Sequence, residues 1–361
     1  MRVADAHTPL ELDLGGRLSP IDVVFETYGS LSSNRDNAIL VTHALAAGAH
    51  AAGWDEATGR LGWWDDVIGP GKAIDTDRFF VICPNVLGSC HGTTGPASID
   101  PVTEKPYGLG FPKITTGDWV ATHARLLDAL GIERVYAVVG GSLGGQQALE
   151  MALRFPHRVE RAVILAAAGR LSAQGLAFNA VGRASIFNDP DFQGGDYYGG
   201  KGPIAGLSAA RMMAHITYLS DEIMGQAFGR RFQEGLPGPG AGFGAEFAVE
   251  NYLADQGRSF AERFDANSYL YITRAMDYYD AAAWGDGDLV RACARIAAEV
   301  LILSFDSDWL YPPKACRELA VAIIKNGRQV TYANEASPHG HDSFLFPSPT
   351  MNSLLNGFLS Y

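Results

Sequence analysis

An apolar, valine-rich run, Val135 to Val139, passes without a break into Gly140-Gly141-Ser142-Leu143-Gly144-Gly145, and a stretch of helical apolar periodicity extends from Leu143 to Phe155. Strand, glycine-flanked serine and helix in that order require a sharp reversal, since larger side chains around Ser142 would collide where the two backbones approach. The reversal lifts the Ser142 hydroxyl clear of the sheet at a helix N-terminus. In a chain with 42 glycines the letters alone could describe an ordinary turn. The flanking strand and helix are what make Ser142 a candidate nucleophile.

The rest of the chain fits a sheet around that turn. Asp22 to Tyr28, Asn37 to Thr42 and Phe79 to Cys83 read as buried strands, rich in Val, Ile and Phe and bounded by turn residues. Trp119 to Leu130 has helical spacing and ends at Gly131, a C-cap residue; Ala162 to Ala167 is a further strand. Strand, helix, strand in succession implies a mostly parallel sheet flanked by helices, an α/β fold. From Leu171 to Trp284 the pattern turns helical, as at Ser208 to Leu219. Strand character returns at Val300 to Phe305, then a helix at Lys314 to Asn326, a strand at Gln329 to Ala333 and a helix ending at Tyr361. The expected organisation is a core of residues 1–170 and 296–361 with a helical cap, 171–295, inserted into it. The segment Gly235 to Gly244 follows no strand and carries two prolines, so it reads as a loop and not a phosphate-binding turn.

A serine hydroxyl needs an adjacent base, and an α/β-hydrolase fold supplies nucleophile, acid and histidine in the chain order Ser, Asp, His. Two acids, Asp306 and Asp308, follow the strand Val300 to Phe305, and two histidines, His339 and His341, follow the last strand. Position alone does not choose within either pair; an acid at 306 or 308 could instead cap a helix. Two backbone N–H groups should face the developing oxyanion: Leu143, directly after the nucleophile, and Leu45, in the loop after the strand ending near Thr42. His43 precedes the nucleophile, so a role in shaping that loop is expected of it.

Composition excludes several classes. A chain of 361 residues, 47% hydrophobic and 19% charged, is that of a soluble globular protein. Its formal charge of −12, with no cluster of Lys and Arg, argues against nucleic acid. Four cysteines without a C-x-x-C pair suggest neither a disulfide framework nor a zinc site. No apolar run reaches the roughly 18 residues of a membrane span, and the first twenty residues lack a signal-like run, so the cytoplasm is the expected location.

Taken together, several motifs resemble the homoserine O-acyltransferase family: His43-Ala44-Leu45, Gly92-Thr-Thr-Gly-Pro96, the elbow around Ser142, Leu171-Ser-Ala-Gln174, Ala210-Arg211-Met212, His215-Ile-Thr-Tyr-Leu-Ser220, Ser307-Asp308-Trp309 and Gly340-His341-Asp342. The likeness covers nearly the whole chain, with departures at Gly175 and Ala180 in the cap. It implies that Asp308 orients His341 and that Ser142 carries an acyl group from a coenzyme A thioester to an amino-acid hydroxyl. It implies too that Arg211, Tyr218 and Asp342 bind the amino acid, and that the chain forms a homodimer and holds no metal or permanent cofactor. A zwitterion suits such a site, since a guanidinium can hold its carboxylate and an acid its ammonium. For Arg211 the competing reading is an ion pair with Asp221 or Glu222.

The acyl group is the finer question. Leu143 stands where acetyl-transferring relatives often have Met and succinyl-transferring ones Leu. Leu310 stands where succinyl-transferring relatives often have Arg, and a succinyl carboxylate buried near Ser142 would need a cation. The expectation is therefore acetyl-CoA as donor and L-homoserine as acceptor. Succinyl transfer, transfer to serine, a hydrolytic esterase or thioesterase, and a non-catalytic binding protein on the same scaffold are the alternatives.

Overall fold

The computed structural model describes residues 1–235, 244–346 and 348–360. The central sheet contains β1 (Phe25–Tyr28), β2 (Ala38–Thr42), β3 (Phe80–Pro84), β4 (Val135–Gly141), β5 (Val159–Leu165), β6 (Glu299–Phe305) and β7 (Val330–Glu335). Across the sheet the order is β7-β6-β5-β4-β2-β3-β1. Every neighbouring pair is parallel except β3 with β1. This is the α/β-hydrolase arrangement expected, with its one antiparallel strand at an edge.

Helices α1 (Thr116–Ala129) and α2 (Leu143–Arg154) flank β4 in sequence. Between β5 and β6 the chain adds α3 (Ala173–Phe187), α4 (Ile204–Tyr218), α5 (Asp221–Ala227), α6 (Ala248–Ala261), α7 (Ala266–Tyr278) and the short α8 (Leu289–Cys293). No sheet strand occurs among the described residues of that stretch. α9 (Pro313–Ile324) joins β6 to β7, and α10 (Pro349–Ser360) closes the chain. The proline-rich loop read at Gly235 to Gly244 lies, apart from its two ends, outside the described residues. No helix among those described is long and apolar enough to cross a membrane.

Both faces of the sheet are covered, which is why its strands read as continuous apolar runs. Leu40, Val138 and Ile302 face one core with Trp119 of α1, Leu149 of α2 and Leu319 of α9. Ile39, Val139 and Leu303 face the other, with Trp64 and with Met351 and Leu355 of α10. Alternate residues of one strand thus serve opposite layers.

The structure corrects three expected boundaries. Asp22 to Tyr28 is not one strand: Ile21–Asp22 pairs with Arg2–Ala4, while Phe25 to Tyr28 joins the central sheet. The break falls where the Asp22 and Val24 N–H groups donate to the hydroxyls of Thr94 and Thr93 at 2.9 and 3.0 Å. β5 starts at Val159 and not Ala162, because the Arg161 guanidinium, 4.4 Å from the Tyr136 ring centre, is buried within the strand. α1 begins at Thr116, before Trp119, with a capping box in which Thr115 accepts from the Asp118 N–H and Asp118 accepts from the Thr115 N–H at 2.8 Å.

At the end of β4, Ser142 has φ +57° and ψ −123°, a conformation few non-glycine residues adopt. Its N–H donates to the Leu165 carbonyl at 2.9 Å, which fixes the turn against β5. A Cβ on Gly144 would overlap the Thr42 carbonyl oxygen, and one on Gly145 would lie 2.5 Å from the Ala167 methyl. Both glycines are therefore demanded by close approach. Gly144→Ala is expected to destabilise the protein by about 1–3 kcal/mol through overpacking, read as a lowered denaturation midpoint. An unchanged midpoint would mean that the turn relaxes freely.

Candidate active site

Three loops at the C-terminal ends of parallel strands meet at Ser142. Its hydroxyl lies 2.7 Å from His341 Nε2, and His341 Nδ1 lies 2.8 Å from Asp308 Oδ2. A carboxylate only accepts, so Nδ1 carries the proton and donates to Asp308, leaving Nε2 to accept from the serine hydroxyl. The other Asp308 oxygen, Oδ1, accepts from the Leu310 and Tyr311 N–H groups, both at 2.9 Å. All three side chains are buried, with Ser142 7% exposed at the floor of a small cavity. Asp306 and His339 are elsewhere: Asp306 accepts from the Ser337 N–H at 2.9 Å, and the His339 ring packs on Phe346 at 4.9 Å.

Burial opposes charging of His341, yet Asp308 beside it and the nearby Asp342 hold its pKa above the ordinary imidazole value. Burial pushes the Asp342 carboxyl up to about 6, against the pull of His341 and Arg211. His43 is the opposite case, pushed down to about 4 by burial. Its Nε2 accepts from the Val86 N–H at 3.1 Å and its Nδ1 lies 2.8 Å from the Ala44 carbonyl, so both nitrogens serve the loop.

Leu143 is the first residue of α2, where a helix leaves its N–H groups without intrahelical partners. Leu45 is buried and lines the Ser142 cavity. Sequence reasoning missed what braces these two. The Gln147 amide donates to the His43 carbonyl at 3.2 Å and to the Leu143 carbonyl at 3.3 Å, while its Oε1 accepts from His123 Nε2 at 2.9 Å. Thr42 Oγ1 adds a bond to the Gly144 carbonyl at 2.8 Å. The available signal was Gln147 itself, a polar residue one turn after Leu143 on a helix face that must be buried.

α4 bears on the site from above. Arg211 is buried, with its guanidinium carbon 4.7 Å from the Phe260 ring centre and 5.3 Å from that of Tyr218. Its Nε and Nη1 have no partner among the described residues, and it pairs with neither Asp221 nor Glu222. A guanidinium held this way is short of an anion. Tyr218 lines the cavity and its ring centre is 5.9 Å from that of His341. The C-terminal end of α4 also grips the catalytic loops: Ser220 Oγ donates to the Pro338 carbonyl, Trp309 Nε1 donates to the Leu219 carbonyl at 3.4 Å, and a Cβ on Gly340 would lie 2.6 Å from the Tyr218 carbonyl oxygen. Leu45, Leu171, Phe178, Met213, Met276 and Leu310 give the cavity its apolar walls.

Comparison with known proteins places this geometry. A family model described as the alpha/beta hydrolase fold matches residues 37–346. A homoserine O-succinyltransferase of Magnetococcus marinus is 50% identical, over 99% of this chain and 93% of its own. A homoserine O-acetyltransferase of Methanohalobium evestigatum is 49% identical, over 98% of this chain and 71% of its own. The crystal structure of homoserine O-acetyltransferase from Bacillus anthracis superposes with a TM-score of 0.91 at 29% identity, covering 98% of this chain and 95% of that one. With a strand-to-helix serine, an imidazole bonded to it and relatives of this identity along almost its full length, the chain belongs to the homoserine O-acyltransferase family of the α/β-hydrolase fold.

Proposed function

We propose that the protein moves an acetyl group from acetyl-CoA to the hydroxyl of L-homoserine, a step of methionine biosynthesis, by way of an acyl-Ser142 intermediate. The observation that carries this reading is the 2.7 Å and 2.8 Å relay from Ser142 through His341 to Asp308, set beneath a buried Arg211 with unpaired N–H groups. Ser142 Oγ attacks the thioester carbonyl as its proton passes to His341 Nε2. The Leu143 and Leu45 N–H groups hold the oxyanion. The C–S bond then breaks and the coenzyme A thiolate leaves with the proton from His341. In the second half, His341 takes the proton of the homoserine hydroxyl, whose oxygen attacks the acyl carbon, and Ser142 recovers its proton on release of the ester. Arg211 holds the homoserine carboxylate and Asp342 its ammonium, with Tyr218 packed beside them. The protein itself supplies every group these steps use, with no metal or permanent cofactor in them.

Residues 171–295 act as the cap that keeps water from the acyl-enzyme, and so favour transfer over hydrolysis. Its α3 exposes Leu176 and Phe187 on one side of the helix, apolar side chains suited to a homodimer face. The substrates place the enzyme in the cytoplasm. Acetyl is favoured over succinyl because Leu310 stands in the cavity wall where a second carboxylate would need a cation, and Arg211 is committed to the homoserine carboxylate. The name of the M. marinus relative favours succinyl, as do those of several further relatives near 50% identity, and the donor comparison decides between them.

Coenzyme A release from acetyl-CoA is expected to be slow alone and to accelerate strongly with L-homoserine, with succinyl-CoA a poorer donor. Equal rates with and without homoserine would indicate a hydrolase, and a preference for succinyl-CoA would reverse the donor assignment. Arg211→Met is expected to raise the homoserine KM by roughly 10- to 100-fold, the worth of a charge-assisted bond, while acylation of Ser142 by the thioester is retained. A variant that loses acylation equally would contradict that division. The reaction needs neutral His341, and protonation removes the base. Since Asp308 and Asp342 raise its pKa, the acid limb of kcat/KM should fall above the ordinary value of 6.5. A limb well below that value would contradict the assigned base.

A further inference from the structure

A second hollow, of about 750 Å3, lies beside the Ser142 cavity and shares two side chains with it, Leu171 and Leu310. One wall is the exposed face of α9. Lys314, Arg317, Glu318, Val321 and Lys325 line it, at the i, i+3, i+4, i+7 and i+11 positions of one helical stripe. The opposite wall is the loop running from Asp280 to Val290, and Arg170 stands at the rim.

The charges here are unevenly matched. Arg170 is 3.2 Å from Asp280, and across the hollow Asp288 keeps its charge while it caps α8 through the Val290 and Arg291 N–H groups at 2.8 and 3.2 Å, so four cations face three acids around the lining. Lys314, Arg317 and Lys325 have no ion pair among the described residues, and Glu318 is the one acid left to oppose them on this stripe. Three free cations span about 16 Å of helix axis, taking a rise of about 1.5 Å per residue. In a chain of net charge −12 the general field repels anions, so a polyanionic substrate has to be received by a local patch such as this one. Between the cations and Ser142 the shared wall is apolar, as suits an uncharged arm reaching inward.

Resting on the acyltransferase reading above, we infer that this hollow receives the phosphorylated end of the coenzyme A thioester. Lys314, Arg317 and Lys325 bind its phosphates, and its pantetheine arm passes between Leu171 and Leu310 to bring the thioester carbonyl to Ser142.

The test compares Lys314→Glu/Arg317→Glu with the wild type on acetyl-CoA and on S-acetyl-N-acetylcysteamine, which lacks the phosphates, together with calorimetric binding of coenzyme A. Melting temperatures verify that both proteins are folded, as substitution of two exposed side chains should allow. The double variant is expected to raise the acetyl-CoA KM by roughly tenfold or more and to weaken coenzyme A binding in parallel. Its kcat and its rate with the short thioester should stay near wild type, and Lys314→Arg should behave as wild type. An unchanged acetyl-CoA KM and coenzyme A affinity, or an equal loss on both thioesters, would overturn the inference while leaving the acyltransferase reading intact. A wild type that turns over neither thioester, yet binds coenzyme A in a way the double variant abolishes, would overturn the acyltransferase reading and leave the binding hollow standing.

Discussion

An imidazole activates a serine only from within hydrogen-bond distance, and here the two are 199 residues apart in the chain. The acid that orients the imidazole is 33 residues before it. Nothing local could hold such a set together; the parallel sheet does. β4, β6 and β7 run in one direction, so the residues that follow each strand emerge at the same edge. Ser142, Asp308 and His341 are what those three exits carry. The strain at Ser142, with its positive φ, is tolerated because β5 fixes its N–H and small residues clear the space around it.

The helical insertion adds constraint and chemistry at once. Through Ser220, Leu219 and the glycine contact at Gly340, the end of α4 is bonded or packed against both loops that bear the acid and the base. The same helix, two turns earlier, carries a buried guanidinium whose cation is supported by aromatic faces and has no ion pair among the described residues. One element therefore sets the position of the catalytic loops and presents a group matched to an amino acid's carboxylate. On the far side of Leu171 and Leu310, α9 offers cations that have no ion pair among the described residues to a different, more highly charged molecule.

Much of this was legible in the sequence, for a physical reason. Strands buried on both faces must be apolar throughout, and the Ser142 turn demands glycine where backbones approach, as at Gly144 and Gly145, so both leave marks on neighbouring letters. Partners that come from elsewhere leave none. The break between Asp22 and Phe25 depends on hydroxyls at Thr93 and Thr94, some seventy positions away. The early start of β5 was hidden by Glu160 and Arg161, whose charges find cover on each other and on Tyr136. The choices between Asp306 and Asp308, and between His339 and His341, turn on loop geometry a few ångströms across, which residue type does not record; family resemblance pointed to Asp308 and His341, and these are the two that lie within hydrogen-bond distance of each other and of Ser142 in turn. Gln147 and His123, which brace the loop of Leu45, were missed because a polar residue in a helix looks solvated until its neighbours are known.

The central claim is that Ser142 carries the acyl group between the two substrates. Protein mixed with acetyl-CoA in the absence of homoserine, quenched in acid and digested, reports this by the mass of the peptide containing residue 142. The account predicts one added acetyl group on Ser142, lost on a chase with L-homoserine as O-acetylhomoserine appears, and absent in Ser142→Ala. Acetylhomoserine formed at an undiminished rate by Ser142→Ala, or label confined to another residue, would contradict it.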